Sequence, residues 1–171
     1  MIYTIKKGAH SCSPLKIKLC APIPMFGTFV LTPEMWYDTA VEGTHINKLV
    51  GLSTDIFNDN SLRLGWRPSE DGLKFDIYVY IHLGGSWVRS PKLKDDIVLT
   101  VHASVEYSWS IYPSYDNDED INIARFVVGG SAIDRAYDVN MGSGWFRQFY
   151  YGGKPVATKT MTANIYVEGY V

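Results

Sequence analysis

The sequence has little of what marks disulfide-rich, nucleic-acid-binding or membrane-spanning proteins. It contains only 2 cysteines, Cys12 and Cys20, too few for a disulfide framework and at no zinc-site spacing. They could pair across a hairpin if oxidised, but two unlinked small apolar residues are favoured. The net charge is -2, without a basic run, which excludes a nucleic-acid partner. No apolar run reaches the roughly 18 residues of a membrane span, so no membrane partner is expected.

A secretion signal is also missing from the first residues, MIYTIKKGAHSC. This predicts a protein that is intracellular as synthesised, or a mature form. The length of 171 residues suits one core, so we expect a single domain over 1–171. Aromatic residues are abundant, at 14%, with 12 Tyr and 5 Trp. Such rings favour pleated surfaces and patches that face a ligand or a partner.

Helical periodicity is nearly absent, and alternation of apolar and polar residues dominates. The clearest case is 60–82, where two alternating stretches flank a turn from Pro68 to Gly72 and predict a hairpin. Residues 95–112 also alternate, which predicts one long strand, or two separated by a bulge near Ala103. We expect roughly eight to ten strands. The chain is therefore predicted to be all-β, an antiparallel two-sheet β-sandwich of jelly-roll type.

Three segments fit this pattern less well. Prolines at 22, 24 and 33 predict that most of 21–36 is an edge strand or an extended loop. The stretch HINKLVGLS suits a strand or a helical turn, and a strand is favoured. Residues 132–144 are poorly patterned and predict a connection that includes at most a turn of helix.

The best candidate site is the hairpin face that the core does not need. Pairing around the 68–72 turn would place these side chains together, with Trp87 on the following strand: Arg63, Arg67, Asp76, Tyr78, Tyr80 and His82. Rings beside Arg and Asp suit a sugar-binding face. The same set suits a protein contact, because Tyr and Arg are enriched in interface cores. Alternatively, a covering segment buries the tyrosines while Arg67 and Asp76 pair across strands. A structural role or a subunit interface is favoured over a glycan site.

No metal, cofactor or catalytic motif emerges. The four histidines include no close pair. Residues 116–120, DNDED, space their aspartates as a calcium loop does, but the glycine and the later Glu of that motif are missing, so a solvated loop is favoured. Glycine pairs precede no helix and therefore bind no phosphate. A glycosidase needs two carboxyl groups facing each other across a groove; Glu106 with Asp76 is a conceivable pair, and the sequence does not fix their separation.

Two stretches resemble a group of uncharacterised β-sandwich proteins of Bacteroidetes and their bacteriophages. In residues 47–87, an Asn-Ser-x-Arg-x-Gly-Trp-Arg pattern precedes an aromatic-rich strand and is matched by Asn60, Ser61, Arg63, Gly65, Trp66 and Arg67. In residues 149–167, the group's Tyr-Phe-Gly-Gly corresponds to Tyr150, Tyr151, Gly152 and Gly153, and PVATKT replaces its Ala-Pro-His. The resemblance covers about a third of the chain. It implies a sandwich related to lectin-like and laminin-G-like jelly rolls, in a phage or gut-bacterial setting.

These observations predict a non-enzymatic structural component of a bacteriophage virion, assembled in the host cytoplasm. It would dock on other virion subunits and on copies of itself, using Arg63, Arg67, Tyr78, Tyr80, His82 and Trp87 or an arm formed by 21–36 or 129–145. The alternative is a carbohydrate-binding module or a receptor-binding tip with an aromatic sheet face. A glycan-active enzyme comes third. No cofactor is predicted for any of the three.

Overall fold

The fold is given by a computed structural model, described over residues 1–14, 24–42, 45–54, 60–70, 72–138, 149–152 and 156–168, with the backbone alone at 19–20 and 144–147. Strands account for 59% of it and helices for 8%. The strands form two antiparallel sheets that share one hydrophobic core. The predicted all-β, two-sheet sandwich is confirmed, and its jelly-roll connectivity stays a prediction.

The strands are numbered in chain order. Sheet A contains, from edge to edge, β12 (Ser131–Tyr137), β11 (Ile121–Val128), β10 (Glu106–Asp116), β4 (Met25–Leu31), β14 (Met161–Val167), β1 (Ile2–Ile5) and β2 (Cys12–Ser13). Sheet B contains β3 (Leu19–Cys20), β13 (Gly144–Arg147), β5 (Asn47–Ser53), β6 (Ser61–Pro68), β7 (Lys74–Leu83) and β8 (Ser86–Val88), while β9 (Ile97–His102) also pairs with β7. In the described ranges, the helical elements are α1 (Thr39–Glu42) and two 3-10 turns, Pro33–Met35 and Leu93–Asp96.

The predicted hairpin forms with the expected register. In the β6–β7 pair, Arg63 lies opposite Tyr80 and Arg67 opposite Asp76, while Trp66 lies opposite Ile77 on the other face. Alternation alone accounts for this arrangement, because successive strand residues point to opposite faces. Trp66 and its neighbours of the same parity pack into the core between the sheets, so the two faces are assigned as the sequence predicted.

The alternating stretch 95–112 is divided between the two sheets. β9 belongs to sheet B and β10 to sheet A, and the chain reverses at Ala103 and Ser104. Ser104 has a φ of 61°, and its backbone N–H donates to the carbonyl of Leu31 at 2.8 Å. The predicted interruption near Ala103 is therefore present, but it is a change of sheet and not a bulge.

Two other predictions are wrong. Residues 25–31 form β4, which lies between β10 and β14 inside sheet A and is neither an edge strand nor a loop. Pro24 and Pro33 stand just outside this strand, so they remove no ladder hydrogen bond from it. Residues 131–137 form β12, which pairs with β11 along its length. Neither strand is the extended arm expected from the sequence.

None of the helices in the described residues has the length and apolar character needed to cross a membrane.

The two cysteines belong to different sheets. Cys12 is buried on β2 of sheet A, and the backbone of Cys20 belongs to β3 of sheet B. The Cys20 side chain, and with it the predicted absence of a disulfide, lies outside the described residues.

Candidate functional site

The six side chains predicted to form a site do lie together, on the outer face of sheet B. Tyr80 is their centre: the Trp87 ring stacks on it at 5.4 Å between centroids, and the His82 ring at 6.3 Å. The guanidinium of Arg67 lies over the Tyr78 ring at 5.4 Å. The structure thus brings the predicted residues together, and their use as a binding site stays a prediction.

The same face is covered by other parts of the chain. Tyr78 is 0% exposed, Tyr80 6% and Arg63 5%. The covering residues are Ile46 and a segment that runs from Leu93 to Ile97. Burial is the main cause that raises the pKa values of Tyr78 and Tyr80 above the ordinary tyrosine range. Of the three interpretations of this face, the covering segment is the one that these exposures favour.

Asp76 connects the polar groups beneath the cover. Its carboxylate accepts hydrogen bonds from Thr100 at 2.7 Å and from Tyr78 at 3.4 Å. The Arg67 guanidinium lies 3.9 Å from the same carboxylate. This is the cross-strand Arg67–Asp76 pair of the structural alternative, and it neutralises a carboxylate that would otherwise be costly to bury.

Gly65 explains how the cover approaches the sheet so closely. A Cβ atom built at Gly65 would lie 2.5 Å from the Cγ2 of Ile46. The absence of a side chain at this outward position therefore makes room for Ile46 above the strand. The glycine of the Asn-Ser-x-Arg-x-Gly-Trp-Arg pattern thus has a packing reason in this chain.

Lys48 belongs to this face and was missed by the sequence analysis. Its ammonium lies 5.1 Å from the centroid of the Tyr80 ring and 5.3 Å from that of Tyr150, two cation–π contacts. Burial, followed by the positive charge of Arg63, lowers the pKa of Lys48 to about 8. The register of β5 shifts between Lys48 and Val50, and such irregularities are not readable from alternation.

The lowered pKa of Lys48 gives the protein a specific pH dependence. From about pH 8 towards 10 the unfolded chain still holds the lysine proton while the folded chain has released it, so this group makes the free energy of unfolding rise with pH. Lys48→Met should therefore show a flatter stability profile than the wild type between about pH 7.5 and 9. Urea unfolding at several pH values measures the difference, with the exposed Lys6→Met as control. Parallel profiles for all three proteins would contradict the prediction.

A second polar cluster joins Tyr37 and Asn47, and α1 through Glu42, to residues 151–152. The Asn47 side chain donates to the Tyr37 hydroxyl at 2.9 Å and accepts from the backbone N–H of Gly152 at 2.9 Å. Tyr151 donates to the Glu42 carboxylate at 3.3 Å. Burial raises the pKa of Tyr37 to about 12, so this hydroxyl remains protonated at neutral pH. These bonds satisfy buried polar groups, which makes the cluster structural.

An exposed aromatic surface lies on the opposite side of the sandwich, on the outer face of sheet A. Three rings there are 40–46% exposed: Phe26, Tyr112 and Tyr166. Together with small residues between them they enclose a groove of about 390 Å³ over β4, β10 and β14. We call this the sheet-A groove.

The floor of the sheet-A groove carries hydroxyl groups. Thr28 of β4 and Ser108 of β10 are paired across the two strands. Ser110 is two residues further along β10, so it points to the same face as Ser108, next to Phe26. The Thr28 hydroxyl donates to the carboxylate of Glu106 at 3.1 Å, and Glu168 lines another part of the groove. The arrangement therefore combines apolar walls, a hydroxyl floor and carboxylates.

Sequence reasoning missed this groove although one of its signals was available. Strand alternation places Tyr166 outward, opposite in parity to Ile165, which is buried in the core. Phe26 lies in the segment 21–36, for which the prolines predicted an edge strand or an extended loop. Which three strands are neighbours depends on the strand order of sheet A, and alternation contains no information about that order.

A second depression of about 350 Å³ lies at the place where the turn between β7 and β8 approaches β11 and β12. Its apolar lining includes Leu83, Val88 and Ile121, and its polar lining includes Asp120 and Asp138. Val88 is 45% exposed although it is a large apolar residue. We call this the β8–β11 depression.

The described residues lack the two catalytic or metal-binding arrangements that the sequence raised. Nowhere in these ranges do three His, Cys, Asp or Glu side chains gather as metal ligands. In the acidic loop, Asp116 accepts hydrogen bonds from the backbone N–H groups of Asp118 and Glu119, which stabilises the turn between β10 and β11. Glu106 points outward from sheet A and Asp76 from sheet B, so these two carboxyl groups do not face each other across a groove.

Comparisons with known proteins add no assignment to this geometry. No family model matches the chain, and no curated protein sequence is significantly similar to it.

Proposed function

We propose that this protein is a non-enzymatic structural component of a bacteriophage virion, assembled in the host cytoplasm, which works by docking on other subunits and on copies of itself. The observation that carries this proposal is the β8–β11 depression. Its lining is apolar at Leu83, Val88 and Ile121, of which Val88 is 45% exposed, and polar at Asp120 and Asp138. Protein interfaces likewise combine apolar residues with polar ones. The resemblance to phage β-sandwich proteins supports the viral setting.

The surroundings of the depression also suit docking. Among the described strands, β12 stands at the edge of sheet A, with β11 on one side of it and no strand on the other. An edge strand presents backbone groups that a neighbouring subunit can pair with. In a particle, many copies arranged around a symmetry axis would use the same patch repeatedly.

The separation of Glu106 and Asp76 supports the non-enzymatic part of the proposal. A glycosidase requires two carboxyl groups about 5–10 Å apart on either side of the scissile bond. Glu106 and Asp76 lie on opposite outer faces of the sandwich. The Asp76 carboxylate interacts instead with Thr100, Tyr78 and Arg67.

Oligomeric state tests the docking proposal directly. We expect light scattering of the purified protein to show a discrete oligomer, and we expect Val88→Asp to weaken its self-association about tenfold or more, because a charge replaces an exposed apolar side chain of the contact. Val41→Asp is the matched control, since Val41 is 80% exposed on α1 and lies outside the depression. A monomer at every concentration, with no binding to particle proteins, would rule the proposal out.

The carbohydrate-binding alternative loses support at its predicted site. Tyr78 and Tyr80 lie beneath Ile46 and the 93–97 segment, where a sugar ring has no access to them. An accessible aromatic face exists on the outer side of sheet A.

A further inference from the structure

We infer that the sheet-A groove is a binding site for a neutral carbohydrate chain. The sheet-A groove is a different surface from the β8–β11 depression, so glycan binding in the groove is independent of docking at the depression.

The walls provide stacking surfaces. Phe26, Tyr112 and Tyr166 expose large apolar rings on the outer face of one sheet, where simple folding would favour polar residues. The faces of pyranose rings are made of C–H groups when most hydroxyls are equatorial, and such faces pack on aromatic rings. Three rings around one groove therefore suit a chain of sugars better than a single small ion.

The floor provides hydrogen bonds. Ser108 and Ser110 present hydroxyl groups that both donate and accept, and Thr28, whose proton is donated to Glu106, can accept. Sugar hydroxyls need both kinds of partner, and the short side chains leave depth for a ring to enter. The volume of about 390 Å³ lies in the roughly 300–1,000 Å³ range of ligand sites.

The charges select among carbohydrates. Glu168 lines the groove, and Glu106 accepts a hydrogen bond from Thr28 in its floor. No Lys or Arg is among the described residues that line it. Arg125, opposite Tyr112 on the neighbouring strand, lies 3.6 Å from the carboxylate of Asp134. Carboxylates accept hydrogen bonds from sugar hydroxyls but repel uronic acids and sulfated sugars. The ligand is therefore a neutral glycan.

A protein partner fits this surface less well. Protein interfaces are depleted in Ser and Glu relative to the rest of the surface. The sheet-A groove has two serines in its floor and two glutamates around it. A self-contact would also bring the glutamates of two copies towards each other if the patch were placed on a two-fold axis.

Affinity electrophoresis through gels that contain hydroxyethylcellulose, galactomannan or polygalacturonate tests the inference, with calorimetry for any polysaccharide that retards the protein. We expect at least one of the two neutral polymers to bind and the polyuronate not to bind. Tyr166→Ala and Tyr112→Ala should each weaken binding about tenfold, because each removes a stacking ring from the wall. Tyr115→Ala is the matched control: Tyr115 is 51% exposed on the same strand as Tyr112 but outside the groove.

Several results would overturn the inference. These are no binding to either neutral polymer, equal binding by the wild type and both groove variants, and a preference for polygalacturonate. An oligomer that dissociates on Tyr166→Ala would instead make the groove a subunit contact and would equally overturn it. Thermal unfolding shows that the variants are folded. Val88→Asp should retain full glycan binding, so failure of the docking proposal is seen separately.

Discussion

Replacement of Trp66 by alanine should lower the free energy of unfolding by about 3–5 kcal/mol. Trp66 is 0% exposed, in the core between the sheets. The centroid of its ring lies 5.7 Å from the ring centroid of Phe75, 5.9 Å from that of Phe149 and 6.1 Å from that of Tyr37. Alanine would leave a cavity among rigid aromatic rings that belong to several elements, so the surroundings would relax only in part. Urea unfolding measures the loss.

Two further variants make this prediction specific. Trp66→Phe should cost only about 1–2 kcal/mol, because a ring remains and because no described residue accepts a hydrogen bond from the buried indole nitrogen of Trp66. Trp87→Ala is the comparison on the outer face of sheet B. Its ring is partly exposed and stacks on Tyr80, so we expect a loss of about 1–2 kcal/mol. If Trp66→Ala and Trp87→Ala cost the same, the assignment of the two faces is wrong.

Replacement of Asp96 by alanine should lower the free energy of unfolding by about 3 kcal/mol. Asp96 is buried at the end of the segment that covers the outer face of sheet B. Its carboxylate accepts hydrogen bonds from the Ser90 hydroxyl at 2.7 Å, from the Ser90 backbone N–H at 2.8 Å and from Arg135 at 3.1 Å. Removing the carboxylate leaves these donors without their acceptor. The side chain of Arg135 is 30% exposed and can reach water, which keeps the loss at the lower end of the range for a broken buried pair.

The control for this prediction is the ion pair between Arg125 of β11 and Asp134 of β12, the strand that also carries Arg135. The two charged groups lie 3.6 Å apart, and the side chains of Arg125 and Asp134 are 57% and 53% exposed. Asp134→Ala should therefore lower the free energy of unfolding by less than about 1 kcal/mol. Asp96→Ala should also loosen the cover over Tyr78 and Tyr80, which acrylamide quenching of the neighbouring Trp87 would report. Equal losses for Asp96→Ala and Asp134→Ala would show that the Asp96 network does not hold the cover in place.

The hairpin shows how far local pattern extends. The alternation of 60–82 and its turn were sufficient to predict the β6–β7 hairpin and to place Arg63, Arg67, Tyr78 and Tyr80 on one face. Strand geometry has a period of two, and a short turn fixes the pairing, so both depend on neighbours in sequence. The same pattern left open whether that face meets water. That depends on Ile46 and on residues 93–97, which return to the strand from other parts of the chain.

The sequence by itself determined the fold class, because alternation of apolar and polar residues over many short stretches is compatible with little else than a two-sheet sandwich. Only the tertiary structure decided which face of the sandwich exposes its rings. The sheet-A groove brings Phe26, Tyr112 and Tyr166 together from strands far apart in the chain, and it exists because β4 lies between β10 and β14. Alternation gives the face of each residue but not the order of the strands, since that order is set by how the two sheets pack on one core.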